Sequence, residues 1–271
     1  MNRLNMTFDK LKQRNEKAFS VFLMSGYPDD KTFIELMHAC VDAGADIIEV
    51  GMPFSDPSAD GPAIKIAGGY ALKNGVTTEK TVEMIKEFRK TDNTTPIVWM
   101  GYFNPIYKFG TEKFIKEIEN AGADGLLAVD LPIEEFHRIK SVKESNIDFI
   151  RLITPVTTEE RIGRILKDAS GFIYYVSIAG ITGTKDAQGE MIKDKVTKLK
   201  TLTNLPILVG FGIKTPENAK NISNFSDGVI VGSAVISKIT NHLKNNGNLE
   251  NKKEMINEIK NFISECAEKS G

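Results

Sequence analysis

Two carboxylates pose the chemical question in this sequence: Glu49, within the apolar run Ile-Ile-Glu-Val-Gly at 47–51, and Asp60, in the loop that follows. In a strand, side chains alternate, so Ile47 and Glu49 share one face and Ile48 and Val50 the other. A carboxylate in such a run must find a partner or hold its proton at a raised pKa. A carboxyl poised in that way can give a proton and take it back, which is general acid–base chemistry. One acid at a strand end, taken alone, equally fits a salt-bridged or water-facing Glu. The loop carrying Asp60 is stiffened by Pro53, Pro57 and Pro62, each of which fixes φ.

A second kind of chemistry comes from glycine. Gly210-Phe211-Gly212-Ile213 and Gly232-Ser233-Ala234 each follow an apolar run, and the latter opens a helix-like stretch. Glycine lets backbone N–H groups approach an anion, and a helix N-terminus favours negative charge. Gly180-Ile181-Thr182-Gly183-Thr184 begins a third such segment, polar to about Lys195, long enough to be read as a lid over 178–195. Several large side chains stand near the ends of apolar runs, among them Phe22, Met100, Tyr102, Tyr174 and Phe211, although residues of this kind usually fill cores. Parity favours Tyr174 over Tyr175 as the inward one, if Phe172 and Val176 share its face.

These groups need a scaffold. Strand-sized apolar runs recur eight times: AFSVFLM, ADIIEVG, PIVWMGY, GLLAVDL, DFIRLIT, GFIYYVS, PILVGFG and DGVIVGS. Helix-like segments intervene at 31–43, 79–89, 111–121, 133–145, 159–168 and 216–224. Alternation of this kind implies a parallel sheet buried on both faces. Eight units favour an α/β fold of one closed (β/α)8 (TIM) barrel over residues 1–271, and no GxGxxG follows the first run to support an open doubly wound sheet. An extra N-terminal helix, about 5–14, is expected to cap the barrel's bottom. In such barrels chemistry gathers at the C-terminal strand ends, and phosphate binds to the loops after the seventh and eighth strands. Glu49 and the two glycine loops occupy those slots.

Bulk properties exclude other classes. At 271 residues with 41% hydrophobic and 26% charged residues, the chain has the composition of an ordinary globular domain. A formal charge of −1 gives no support for nucleic acid as a partner. Cys40 and Cys266 suggest reduced structural thiols, and His38, His137 and His242 show no metal-ligand spacing. No apolar run is long enough for a membrane span and no secretory h-region opens the chain, so the cytoplasm is the expected location.

With these residues assembled, the sequence resembles the tryptophan synthase alpha chain family. The resemblance rests on Glu49 with GMPFSDPSADGP, GYFNP at 101–105, GITG at 180–183, GFGI at 210–213 and GSA at 232–234, in register from about Ala18 to Ile236. It implies a lyase that performs retro-aldol cleavage of indole-3-glycerol phosphate to indole and glyceraldehyde 3-phosphate. It also implies Glu49 as acid/base, Asp60 as acceptor for the indole N–H, and Tyr174 beside the reacting side chain. Phe22, Met100, Leu127, Ile153 and Phe211 would line the indole slot, with Thr182 closing the lid over Asp60. Gly183, Gly212, Ile213, Gly232 and Ser233 would hold the phosphate.

The resemblance further implies no cofactor in this chain. Pyridoxal phosphate belongs to a beta chain, with which an α2β2 heterotetramer would form through Pro53, Phe54, Asp56, Asn104, Pro105, Asp130 and Pro132. Met24, Lys65 and Ile178 depart from the residues common in the family. A stand-alone lyase and a non-catalytic activating subunit remain as alternatives, and retention of both Glu49 and Asp60 argues against the latter. The strand runs place no lysine inward, which argues against an indole-glycerol-phosphate synthase.

Overall fold

A computed structural model describes residues 2–177, 185–210, 212–244 and 249–270, with the backbone alone for 185–188, 269 and 270. Its described strands are β1 Ala18–Met24, β2 Ile47–Gly51, β3 Ile97–Gly101, β4 Gly125–Ala128, β5 Asp148–Phe149, β6 Arg151–Ile153, β7 Ile173–Val176, β8 Ile207–Gly210 and β9 Gly228–Val231. They form one sheet in the order β5-β4-β3-β2-β1-β9-β8-β7-β6, with every neighbouring pair parallel. Its two ends belong to one stretch of chain. β5 pairs with β4, β6 pairs with β7, and only Ile150 separates β5 from β6. The Ile150 N–H donates to the Leu126 carbonyl at 2.9 Å. The sheet therefore closes as a (β/α)8 barrel, with DFIRLIT filling a single slot in two short pieces.

Helices α1 Arg3–Arg14, α2 Asp30–Asp42, α3 Pro62–Lys73, α4 Thr78–Arg89, α5 Phe103–Phe109, α6 Thr111–Ala121, α7 Glu159–Leu166, α8 Lys185–Lys200, α9 Pro216–Ser223, α10 Ser233–Asn241 and α11 Lys252–Ser270 accompany the strands. Local sequence explains many of their starts. Asn2, Asp29, Thr77, Thr158 and Thr215 each accept a hydrogen bond from a first-turn N–H, satisfying a donor that the helix cannot. The segment Ile133–Glu144 forms a 3-10 helix where an α-helix was expected, with a kink at Ile139. Its buried Phe136, Ile139 and Val142 recur every third residue, the repeat that a three-residue turn puts on one face.

The polar stretch expected to be loop through Lys195 is helical from Lys185. Ile192, Val196 and Leu199 supply the reason: they form an i, i+4, i+7 stripe packed on the outside of the β6–β8 region. The rest of the expected lid, at 178–184, lies outside the described residues.

The barrel interior holds Ala18, Ile47, Val98, Leu127, Ile150, Phe172, Tyr174, Leu208 and Ile230, and Leu4, Phe8 and Leu11 of α1 pack beneath them as the bottom plug. At that lower rim, Asp46, Asp124 and Asp227 accept the N–H groups of Phe19, Ile97 and Ile207 at 2.8, 3.0 and 3.0 Å. A carboxylate opening one strand thus satisfies the first residues of its neighbour. Asp124 also pairs with Arg3 and Arg89 at 3.0 and 3.1 Å. Conserving geometry at the bottom leaves the upper rim to carry chemistry.

Candidate active site

Glu49 is the middle residue of β2, in register between Phe22 of β1 and Val98 of β3. Strand alternation sends its side chain inward with Ile47, while Ile48 and Val50 join the outer core. It is completely buried. The Ser20 hydroxyl donates to its Oε1 at 3.2 Å, and Oε2 has no hydrogen-bond partner among the described residues. Burial pushes the carboxyl from its usual 4.5 up to about 8, and the Ser20 bond pulls the other way. At neutral pH this side chain therefore carries a proton that it can lose.

Tyr174 belongs to the same interior cluster, flanked in register by Leu152 and Leu208, while Tyr175 joins the outer one. The parity expected for the pair holds. Its phenol is pushed well above its usual value, first by burial and then by the charge of Glu49. Space for both large rings depends on glycine. A Cβ on Gly210 would come within 3.0 Å of the Tyr174 hydroxyl and ring, and one on Gly51 would collide with the ring of Phe22.

Asp60 is half-buried just before α3. Burial raises its pKa, opposed by a hydrogen bond from Tyr102 and by the Lys65 ammonium. The Tyr102 oxygen in turn accepts the Ala59 N–H at 3.0 Å, and its ring stacks on Phe54 at 5.1 Å between centroids. Tyr102 thereby fixes the loop that presents Asp60. In the sequence Tyr102 reads only as a strand-end aromatic, and no motif marks Ser20.

Met100 and Leu127 reach the interior cluster, and strand alternation puts Phe22 on the inward face of β1 with Ala18 and Ser20, its ring lying where a Cβ on Gly51 would fall. Ile153 does not. It packs outward with Ile165, Tyr175 and Val209, and Leu152 takes the inward position beside Tyr174. The correction follows from alternation, because Ile150 and Leu152 share a face and a one-residue shift reverses every side chain. Phe211, Thr182 and Gly183 lie outside the described residues.

At the β8 and β9 ends, Gly212 has φ of 83° and is followed by buried Ile213. Gly232 stands as the N-cap of α10 and has no side chain to cap the first turn that begins at Ser233. Backbone donors there are available to an anion. On the rim, Phe54 stacks on Tyr102, and Asp130 Oδ1 accepts the Phe103 N–H at 2.6 Å, joining the loops after β2, β3 and β4. Asp56, Asn104, Asp130 and Pro132 are exposed on these loops, Pro105 is half-buried, and Pro53 is buried beneath them.

No group of three or more His, Cys, Asp or Glu among the described residues could hold a metal. No described helix is long and apolar enough to cross a membrane.

A closed parallel barrel, with a protonated interior carboxyl at its mouth and uncapped backbone donors at the start of the helix after its last strand, defines a (β/α)8 enzyme of the phosphate-binding type. Comparison with known proteins narrows the class. Residues 8–266 match the family described as "Tryptophan synthase alpha chain". The solved tryptophan synthase subunit alpha from Legionella pneumophila str. Paris is 36% identical, with 100% of this chain and 98% of that one covered and a TM-score of 0.90. A solved chain from Aquifex aeolicus VF5 is 37% identical over 99% of both, with a TM-score of 0.88. One from tryptophan synthase of M. tuberculosis, in an aminoacrylate-bound form, is 30% identical over 100% of both, with a TM-score of 0.86. The chain belongs to the tryptophan synthase alpha chain family. It is a carbon–carbon lyase that cleaves indole-3-glycerol phosphate to indole and glyceraldehyde 3-phosphate.

Proposed function

We propose that Glu49 is the acid–base group of this cleavage, with Asp60 and Tyr174 as its partners. The observation that supports this reading is a completely buried carboxyl, protonated at neutral pH, whose Oε2 has no hydrogen-bond partner among the described residues. Glu49 gives its proton to indole C3, which makes the ring electron-poor. The bond between C3 and the glycerol side chain then breaks, its electrons return to the ring, and the adjacent hydroxyl proton passes to the Glu49 carboxylate. Indole and glyceraldehyde 3-phosphate leave, and Glu49 is protonated again, so one side chain serves as acid and then base. Asp60 accepts the indole N–H and stabilises the positive charge that develops on the ring.

Phe22, Met100, Leu127 and Leu152 are the apolar walls this reading assigns to the indole, with Phe211 and Thr182 assigned from the sequence pattern. Gly183, Gly212, Ile213, Gly232 and Ser233 are assigned to the phosphate through backbone N–H groups, so that binding energy far from the bond being cleaved holds the ring against Glu49.

The same reading assigns a tryptophan synthase beta chain as the partner, in an α2β2 assembly that docks on Pro53, Phe54, Asp56, Asn104, Pro105, Asp130 and Pro132. The hydrogen-bonded and stacked rim after β2, β3 and β4 supports it, since that rim is continuous with the loop bearing Asp60. Pyridoxal phosphate is then the partner's cofactor, and the cytoplasm the compartment.

Indole release from indole-3-glycerol phosphate, measured with and without a beta chain, tests the assignment. Glu49→Gln is expected to lower kcat by about 10²–10⁴-fold, the usual worth of general acid–base catalysis, with substrate binding retained. Asp60→Asn is expected to lower kcat more than it raises KM. Near-normal turnover by the Glu49 variant would remove that residue from the chemistry.

A further inference from the structure

Inside the barrel, Glu49 is not the only polar side chain. β1 turns Ala18, Ser20 and Phe22 inward, and Ser20 is completely buried. Its register neighbours are Ile47 of β2 and Ile230 of β9, both members of the apolar interior cluster. A hydroxyl in such a layer is costly unless it is partnered. The bond it makes is to Glu49, from Oγ to Oε1 at 3.2 Å, and it is directional: one carboxyl oxygen is engaged from below, and the other has no hydrogen-bond partner among the described residues.

We infer that Ser20 is a positioning residue for Glu49, one that locks the carboxyl plane through Oε1 and so makes Oε2 the oxygen that exchanges the proton with the substrate. The inference rests on the reading of Glu49 as the acid–base group. When Oε2 gives up its proton, the charge spreads over both oxygens, and the Ser20 hydroxyl stabilises the half that faces away from the substrate. Ser20 itself neither gains nor loses a proton.

The surroundings leave little else to do this. Facing Glu49, β1 offers Ser20 and Phe22, β2 offers Ile47, β3 offers Val98 and Met100, and β4 offers Leu127. From β7 comes Tyr174, a titratable group that feels the charge of Glu49 across the barrel, and its phenol stays neutral throughout the range in which Glu49 titrates. Asp60 lies in the loop above, hydrogen-bonded to Tyr102 and near the Lys65 ammonium.

Two readouts on the full chain test the inference: the ¹³C carboxyl titration of Glu49, assigned by its loss in Glu49→Gln, and the pH profile of indole release. Removing the hydroxyl in Ser20→Ala takes away a bond that is stronger to the carboxylate than to the neutral acid, so the Glu49 midpoint should rise, by about one unit for a bond of this kind. The alkaline limb of the rate profile should rise with it, kcat at pH 7 should fall about three- to tenfold, and KM should stay within about twofold. Ser20→Thr, which restores a hydroxyl, should return the midpoint toward the wild-type value.

A merely structural Ser20 would lower the melting temperature and leave the titration where it was, and an unmoved midpoint in Ser20→Ala overturns the inference. The titration needs no turnover, so it separates this failure from that of the catalytic reading. A midpoint that rises while the rate profile stays fixed upholds the Ser20–Glu49 contact and removes Glu49 from the chemistry.

Discussion

Replacing Glu49 with glutamine should do two opposite things: end the cleavage and stabilise the protein, the second in a manner that depends on pH. The carboxyl titrates near 8 in the barrel and near 4.5 when exposed. Between these values the native state holds a proton that the unfolded chain has released. The native state thus binds more protons than the unfolded one, and stability must fall as pH rises through that window. Each pH unit inside it is worth about 1.4 kcal/mol. From pH 4.5 to pH 7 the wild-type protein therefore forfeits about 3 kcal/mol, with the loss levelling off above about pH 8. Below pH 4.5 both states are protonated and the penalty vanishes.

Glutamine has nearly the same shape, can accept the Ser20 hydroxyl at its carbonyl oxygen, and has no proton to lose. Its amide N–H₂ inherits the place of Oε2, which has no hydrogen-bond partner among the described residues, and this costs about 1–3 kcal/mol, but that cost is the same at every pH. The diagnostic quantity is therefore the change with pH, not the difference at any single pH. Urea denaturation of both proteins in steps from pH 5 to pH 8 should show the stability of Glu49→Gln gaining on wild type by about 3 kcal/mol, with most of the gain accrued by pH 7.5. A stability difference that stays flat across this range would show that Glu49 ionises in the folded protein as it does in water, and the argument for a protonated acid at the barrel mouth would fall with it.

Two further substitutions separate the upper rim from the lower. Gly210→Ala puts a methyl group against the Tyr174 hydroxyl and ring, so the tyrosine must move; overpacking of this sort costs about 1–3 kcal/mol, and displacement of a group beside the reacting centre should reduce indole release up to about a hundredfold. A kcat within twofold of wild type would mean that the position of Tyr174 does not matter. Asp124→Ala strips buried Arg89 of its nearer carboxylate, leaving Asp92 at 3.8 Å, and leaves the Ile97 N–H without its side-chain acceptor; the expected loss is about 3 kcal/mol by chemical denaturation, with kcat preserved in the fraction that folds. A large catalytic defect in that folded fraction would contradict the division between a structural bottom and a reactive top.

How far the sequence could be read depended on how sharply each strand distinguishes its two faces. In Ile47–Gly51 one acid marks the phase, because burying Glu49 on the helix-packed side would place a charge among the side chains of the outer core. The inward assignment of Tyr174 followed from the same alternation. In 148–154 no such marker exists. Phe149, Ile150, Leu152 and Ile153 are all apolar and nearly all buried, since a parallel barrel covers both faces of its sheet, and the polar residue between them, Arg151, is itself buried outward against the rings of Phe149 and Phe136. Arg151 held the answer: a guanidinium reaching the Leu131 carbonyl at 3.0 Å from the outer face forces Leu152 inward, and Ile153 out.

The helix from Lys185 was hidden for a related reason. Its apolar stripe is three residues thin in a run otherwise polar enough to pass for a lid, and only the surface it lies against makes Ile192, Val196 and Leu199 a face. Ser20 is the opposite case. Nothing about its neighbours in sequence is unusual, and it acquires a role from Glu49, twenty-nine residues away in sequence, because β1 and β2 lie side by side with Ser20 one step below Glu49 on the same inner face. Groups whose function is conferred by the residue across the strand are those a linear reading is least able to find, and in a barrel they fall where the catalytic carboxyl has its nearest support.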